Sequence, residues 1–288
     1  MSQILSANLS GFIPTEVSNE IIAGVTRGSA VMGLAKSISM TTPEKKFNVL
    51  AKGAGAYWVG EGQKIQTSAN EYVQVKMVAK KIAVIIPVSN EALRDSTIDV
   101  FAEHKTQIAE AFAKKFDEAA IFGADSPYGV GESILEKIVE AGNEFTLGSV
   151  VGQAIGGDVS DLMALIEAEG YDVNAFAAPI SFKNALRKAK DDAGNSLFRN
   201  ITKDAPAELY GQTLGYVRNG AFDTTKSKMI CGNFDYAFVG VLDDITYKIA
   251  TEGSVGNINL FEQDMVAIRA TMTIGFLVVK SEAFANLK

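Results

Sequence analysis

The sequence predicts an α+β fold, an elongated body with a long hairpin reaching out of it, and three observations carry that reading. First, Phe47 to Asp99 passes from a glycine-rich stretch into strand-like alternation, then through the basic step Lys80-Lys81 and a second apolar run into Ser89-Asn90-Glu91-Ala92-Leu93-Arg94-Asp95-Ser96, which opens a helix. Second, Phe101, His104, Ile108, Phe112, Phe116 and Ala119 fall at spacings of 3, 4, 4, 4 and 3, one continuous helical stripe. Third, after Met229 the chain is rich in strand patterns.

Taken in order, residues 1 to about 40 read as an arm. Gly11-Phe12-Ile13-Pro14 breaks regularity, Thr15 to Ala23 suits a short helix, and Ser29 to Met40 suits either a helix or a strand. Residues 41 to 88 read as strands, with a turn at Pro43 to Lys46. Val73, Val75 and Met77 alternate with Gln74 and Lys76, the period of a strand with one wet face. Gly53, Gly55, Gly60 and Gly62 make a flexible tip that carries the only tryptophan, Trp58, close to Glu61. A tip this long has little core of its own, and long loops are commonly functional. The helix from Thr97 to Phe122 spans about 39 Å at about 1.5 Å per residue. Ser96 or Thr97 can cap its start and Gly123 can end it in a left-handed turn. Gly123 to Gly131 is a turn-rich connector. Beyond it come a helix at Asp161 to Glu169, a strand at Asn174 to Ala178, a helix at Ser181 to Lys190 capped by Ser181, and the tight polar loop Asp191-Asp192-Ala193-Gly194-Asn195. Strands follow at Met229 to Cys231, Tyr236 to Val241 and Ile245 to Ile249, and a long strand pair spans Met265 to Val279.

Composition narrows the function. The chain has 288 residues, 47% hydrophobic and 21% charged, as folded soluble proteins do. A net charge of -7 and a pI near 5.0 oppose binding to DNA through clustered cations. The densest basic patches, Lys80-Lys81 and Lys183 to Lys190, read as solvated surface. Cys231 stands alone, which leaves no intrachain disulfide and no cysteine metal site. His104 is the only histidine, and no G-x-S-x-G elbow accompanies it. The first residues lack the basic start and apolar run of a signal peptide, and no apolar run approaches the roughly 20 residues that span a bilayer. The expectation is a soluble protein made in a cytoplasm, without membrane partners.

No motif supplies chemistry. The glycines at 53, 55, 60 and 62 miss G-x-G-x-x-G because position 58 is Trp58, and there is no P-loop, H-E-x-x-H or calcium loop. The carboxylate pairs Asp95 with Asp99, Asp191-Asp192 and Asp243-Asp244 fit caps or solvated turns. No catalytic residue, cofactor or metal is expected. An arm and an extended hairpin are poorly stable in isolation and need a partner surface, so the reading is structural rather than enzymatic.

Several segments, in order, resemble a known family. Ala56-Tyr57-Trp58-Val59-Gly60-Glu61-Gly62 is similar to a hairpin-tip motif. Lys80 to Ala83 with Val88 to Ser96 is similar to a strand entering a spine helix, and Asp117 to Gly123 to the end of that helix. Ala189 to Leu197, Leu209-Tyr210-Gly211, Gly232-Asn233-Phe234 and Phe261 to Ala283 resemble the remainder. Each piece is short and degenerate, and the ordered set covers nearly the whole chain. Together they resemble the major capsid proteins of tailed bacteriophages with the Hong Kong 97-type fold.

That resemblance implies an N-terminal arm at 1–40, an extended loop at 41–80 lying over a neighbouring subunit, a peripheral domain at 81–150 and 251–288 around the spine helix, and an axial domain at 151–250. It implies hexamers and pentamers closing an icosahedral shell around double-stranded DNA, bound without sequence specificity. A separate scaffold protein, a portal and a decoration protein are the further partners, and the particle is assembled in the host cytoplasm. The residues expected at inter-subunit contacts are Trp58, Glu61, Lys64, Glu71, Lys80 and Lys81; Asp191, Asp192, Gly194 and Asn195 form the loop expected at a symmetry axis. Many family members begin with a helical scaffold that a protease removes, whereas this chain starts directly with the arm, so scaffolding is separate, absent or already removed. Some members weld subunits by a lysine–asparagine isopeptide bond with a glutamate helper. Lys52 or Lys64 with Asn257 or Asn259 are the candidates here, but Met265 to Val279 holds no Glu or Asp to act as helper, so no such bond is expected. Two alternatives stand beside the viral shell: an encapsulin-like compartment that encloses enzymes, and a soluble enzyme working with carboxylates alone.

Overall fold

A computed structural model of the chain describes residues 28–52, 54–64, 67–95, 100–149, 155–190 and 208–288. The expected helix at Thr15 to Ala23, the caps Ser96 and Thr97, and the loop Asp191 to Asn195 lie outside the described residues.

Both readings of Ser29 to Met40 hold, one after the other. Ala30–Leu34 is a short helix whose start is capped by the Ser29 hydroxyl, and β1 (Lys36–Ser39) follows at once. β2 (Glu44–Lys52) and β3 (Glu71–Ser89) then form an antiparallel hairpin in register from Glu44↔Val78 to Lys52↔Glu71. The charged run Glu44 to Lys46 is therefore strand rather than turn. The bend is confined to residues 41–43, because pairing with β3 supplies the hydrogen bonds that a turn-like composition does not predict. Lys80-Lys81 does not interrupt β3 either; the strand runs 19 residues and pairs along its second half with β12 (Met265–Val278).

The helix Asn90–Asp95 leads to the long helix Val100–Phe122, which ends at Gly123 with φ 67°, the left-handed conformation that glycine adopts without strain. Ile108, Phe112, Phe116 and Ala119 of the predicted stripe are buried. Phe116 meets Phe276 of β12 edge-on with ring centroids 6.1 Å apart. Next, Ile134–Ala141 is a helix opened by a capping box in which Ser133 and Glu136 satisfy each other's backbone N–H groups.

Two sheets organise the described residues. The five-stranded sheet has the order β1-β9-β12-β3-β2, with β9 spanning Ala237–Ala250. Met265 to Val278 is thus one central strand between β9 and β3, not a strand pair. β9 is continuous through Leu242-Asp243-Asp244. Register shifts near Thr271 and Thr273 absorb this polar interruption as a bulge, so two expected strands merge into one. The six-stranded sheet has the order β4-β13-β8-β5-β7-β6, from β4 (Glu144–Phe145), β5 (Ala175–Pro179), β6 (Glu208–Leu209), β7 (Gln212–Val217), β8 (Met229–Gly232) and β13 (Phe284–Leu287). The helix Ile155–Ala168 covers it with Val159, Leu162 and Ile166, and these pack with Phe176, Met229, Cys231 and Leu287. Ser181 does not cap the next helix. A 3-10 turn at Ile180–Phe182 intervenes after Pro179, and Lys183–Lys188 begins without a side-chain cap. A small pair, β10 (Ser254–Val255) with β11 (Ile258–Asn259), sits between β9 and β12. The C-terminal β13 joins the six-stranded sheet while residues 237–250 join the five-stranded one, so sheet membership crosses position 250 in both directions.

Candidate inter-subunit surface

The hairpin is held at its root and bare towards its end. At the root, Met40, Met77 and Leu277 are buried together, with Phe47, Val75, Phe238 and Leu242 packed around them. Two glycines make this packing possible. A Cβ on Gly240 of β9 would stand 2.4 Å from the Met40 sulfur and 2.5 Å from the Met77 methyl, and one on Gly275 would press the Met77 side chain at 3.1 Å. The methionines therefore seat against bare backbone. Phe47 lies against Phe238 with ring centroids 5.3 Å apart, and Glu44 pairs with Lys76 across the two strands at 3.2 Å. Lys280 adds one hydrogen bond to the Leu50 carbonyl at 3.3 Å.

Beyond the root the hairpin loses its cover. Leu50 and Tyr72 stand opposite each other in register, and both are exposed, as is Val73. Residues 54–64 and 67–70 have no helix or strand. The tip is closed by local bonds: the Gly55 N–H donates to the Ser68 hydroxyl at 2.6 Å, and the Gln63 N–H to the Gly60 carbonyl at 3.1 Å, with Gly62 at φ 75° allowing the turn. On this frame Tyr57 and Val59 are exposed and Trp58 is 104% exposed. No described residue covers the indole.

The predicted contact charges lie along the same element. Glu61, Lys64 and Glu71 are exposed near its end; Lys81 is exposed and Lys80 half-buried, in register with Thr273 and Ile274 of β12. None of the five forms an ion pair with a described residue. Lys80 and Lys81 belong to the sheet of the body, so the structure does not bring them to the tip. Of the candidate linkage residues, Asn257 lies in the β10–β11 turn and Asn259 in β11, where the Asn259 side chain accepts from the Phe261 N–H at 3.3 Å.

Two features escaped the sequence reading. Phe261, on the turn before β12, is 80% exposed, a second bare aromatic with no periodicity to announce it. Asp117, inside the long helix, is fully buried. Its carboxylate accepts from the Ser29 hydroxyl at 2.5 Å, from the N–H groups of Ala30 and Val31 at 3.1 and 3.4 Å, and from the Asn219 amide at 2.7 Å. Burial pushes its pKa above the usual carboxylate range, and those four donors oppose the shift without cancelling it. Its burial had a signal, since Asp117 lies between Ala113 and Ala120 on an otherwise apolar stripe, but its distant partners had none.

His104 is half-buried on the helix with Nδ1 lacking a partner, and Cys231 is fully buried, its thiol pKa pushed up by burial. Among the described residues no cluster of His, Cys, Asp or Glu has the arrangement of a metal site, and no helix is long and apolar enough to cross a membrane.

Comparison with known proteins places this chain. Residues 10–288 match the model of the phage capsid family. The chain belongs to that family. The capsid chain is 37% identical to the major capsid protein of Staphylococcus phage 80alpha over 286 residues, covering 96% of this chain and 85% of that one. Among solved structures it is similar to a chain from Microbacterium phage Oxtober96, at TM-score 0.81, 27% identity and 91% coverage of both chains. It is likewise similar to one from Mycobacterium phage Bobi, at TM-score 0.80, 27% identity and 90% coverage of both. The fold is the mixed helix-and-sheet Hong Kong 97 type, and the protein is a structural shell subunit of tailed-phage capsids, not an encapsulin-like compartment protein.

Proposed function

We propose that this capsid protein closes its shell through a head-to-tail contact, in which the hairpin of each copy lies across the body of the next. One observation carries the reading: Trp58 and its neighbours are bare at the end of an element whose root is locked by Met40 and Met77. Such a heterologous contact between identical chains closes into rings when the rotation fits, here hexamers and pentamers of an icosahedral shell. Glu61, Lys64 and Glu71 are the charges that meet the neighbour, while Lys80 and Lys81 act nearer the root. The division into an arm at 1–40, an extended loop at 41–80, a peripheral part at 81–150 and 251–288, and an axial part at 151–250 with its loop at Asp191 to Asn195 facing a symmetry axis belongs to the same proposal. So do assembly in the host cytoplasm, the enclosed double-stranded DNA, a scaffold protein, a portal, a decoration protein and the absence of catalytic work.

An acidic chain is supported in this role by contacts with itself rather than by attraction to phosphate. The purified protein, with scaffold if one is used, is therefore expected to give closed or partial shells in electron micrographs after nuclease treatment. Shells that form only when DNA is added would overturn this part of the proposal.

A further inference from the structure

Residues 28–39 touch both halves of the molecule. The Gly28 carbonyl accepts from the Asn219 amide at 3.1 Å, and Asn219 follows β7 of the six-stranded sheet. Leu34 lies over β7 so closely that a Cβ on Gly215 would stand 2.8 Å from it. β1 then pairs in parallel with β9 of the five-stranded sheet, Lys36 with Phe238 through Ser39 with Val241. At the start of this strap, Asp117 of the long helix gathers Ser29, Ala30, Val31 and Asn219 on one carboxylate. One side chain thus joins the long helix, the strap and the six-stranded sheet. An apolar residue of similar size would fill the space but would leave the Ser29 hydroxyl, the Ala30 and Val31 N–H groups and the Asn219 amide without this acceptor. What the acid adds is a directional tie between three separate pieces of chain.

We propose that the strap pinned by Asp117 sets the angle between the two sheets, and through it the curvature at which neighbouring subunits join. The inference rests on the shell reading. Loss of the Ser29 donor or of the Asp117 acceptor loosens the strap from the long helix while β1 stays in its sheet, so subunits still associate but over a range of angles.

The test uses the full chain and reads shell diameter by electron microscopy, beside a thermal melt of the unassembled subunit. Asp117→Asn turns an acceptor into a partial donor facing donors, and Ser29→Ala removes one hydroxyl only, which keeps a folded variant available. Both are expected to give shells of more than one diameter where the parent gives one. A Cβ on Gly28 falls 3.3 Å from the Ala113 Cβ, a few tenths short of ordinary disulfide spacing. Gly28→Cys with Ala113→Cys, added to either variant, is therefore expected to restore a single diameter when oxidised and to lose it on reduction. Wild-type diameters in folded Ser29→Ala and Asp117→Asn shells, or mixed diameters that the oxidised disulfide leaves unchanged, would overturn the strap. Failure of the parent chain to form shells would instead overturn the shell reading beneath it.

Discussion

Removing the Trp58 side chain separates folding from assembly. In the isolated subunit the indole is 104% exposed, so Trp58→Ala deletes no intramolecular packing. Its effect on subunit stability should stay within about 0.5 kcal/mol, the range of ordinary surface substitutions. Against a neighbour the account changes. A tryptophan buries roughly 150–250 Å² when covered, and at about 25 cal/mol per Å² that is about 4–6 kcal/mol before the cost of ordering the loop. Truncation of a central aromatic at an interface typically costs on the order of 2 kcal/mol or more. A loss of 2 kcal/mol weakens each contact roughly thirtyfold, and a shell repeats the contact around every ring. Light scattering against protein concentration, with sedimentation of the products, reads the onset of assembly, and circular dichroism reads the fold. The expected result is a higher onset concentration with an unchanged melt. Assembly at the wild-type onset, or a melt lowered by several degrees, would refute the reasoning that puts Trp58 in a contact between copies.

Further outcomes follow from other residues. Lys64, exposed and without an ion-pair partner among the described residues, should make Lys64→Glu weaken shells most at low salt, because exposed charges are screened at higher ionic strength; equal stability across a salt series would remove it from the contact. No carboxylate lies within Met265–Val278 to assist an isopeptide bond, so shells boiled in detergent should run as single chains of 30.7 kDa; a ladder of covalent oligomers would contradict this and point to Lys52 or Lys64 joined to Asn257 or Asn259. Burial raises the Asp117 pKa above its unfolded value, so as pH falls through the folded pKa the native chain takes up this proton before the unfolded one does. The carboxyl's contribution to stability is greatest below the unfolded pKa and is lost as pH rises through the folded one. Melting temperatures of the parent relative to Asp117→Asn should therefore rise across that window as acid is added, and a constant difference would count against it.

Local signals were legible wherever one face of an element decided its burial. The spacing from Ile108 to Ala119 gave the long helix its buried stripe, and Gly123 marked its end, because both depend on neighbours within a few residues. Alternation at Val73, Val75 and Met77 placed β3, though only Met77 is fully buried: Val75 packs half-buried at the root, and Val73 stands on the uncovered part of the hairpin. Features that depend on distant partners were not legible. Glu44 to Lys46 became strand because β3 lies beside it, and Asp243-Asp244 stayed within β9 because the sheet tolerates a bulge. Gly240 and Gly275 carry no sign of the methionines they receive, and Asp117 shows its role only when Ser29 and Asn219 arrive from 88 and 102 residues away. For the contact surface, the lone Trp58 in a glycine-rich tip was a sufficient signal, while Phe261 was not singled out.

The central claim is that the hairpin tip is bare in the subunit and covered in the shell. Trp58 is the only tryptophan, so the protein's indole fluorescence reports on this position alone. Its emission should be that of a fully hydrated indole in unassembled subunits, and should shift to the blue and resist an added aqueous quencher once shells form. Emission and quenching that stay unchanged between subunit and closed shell would contradict the account.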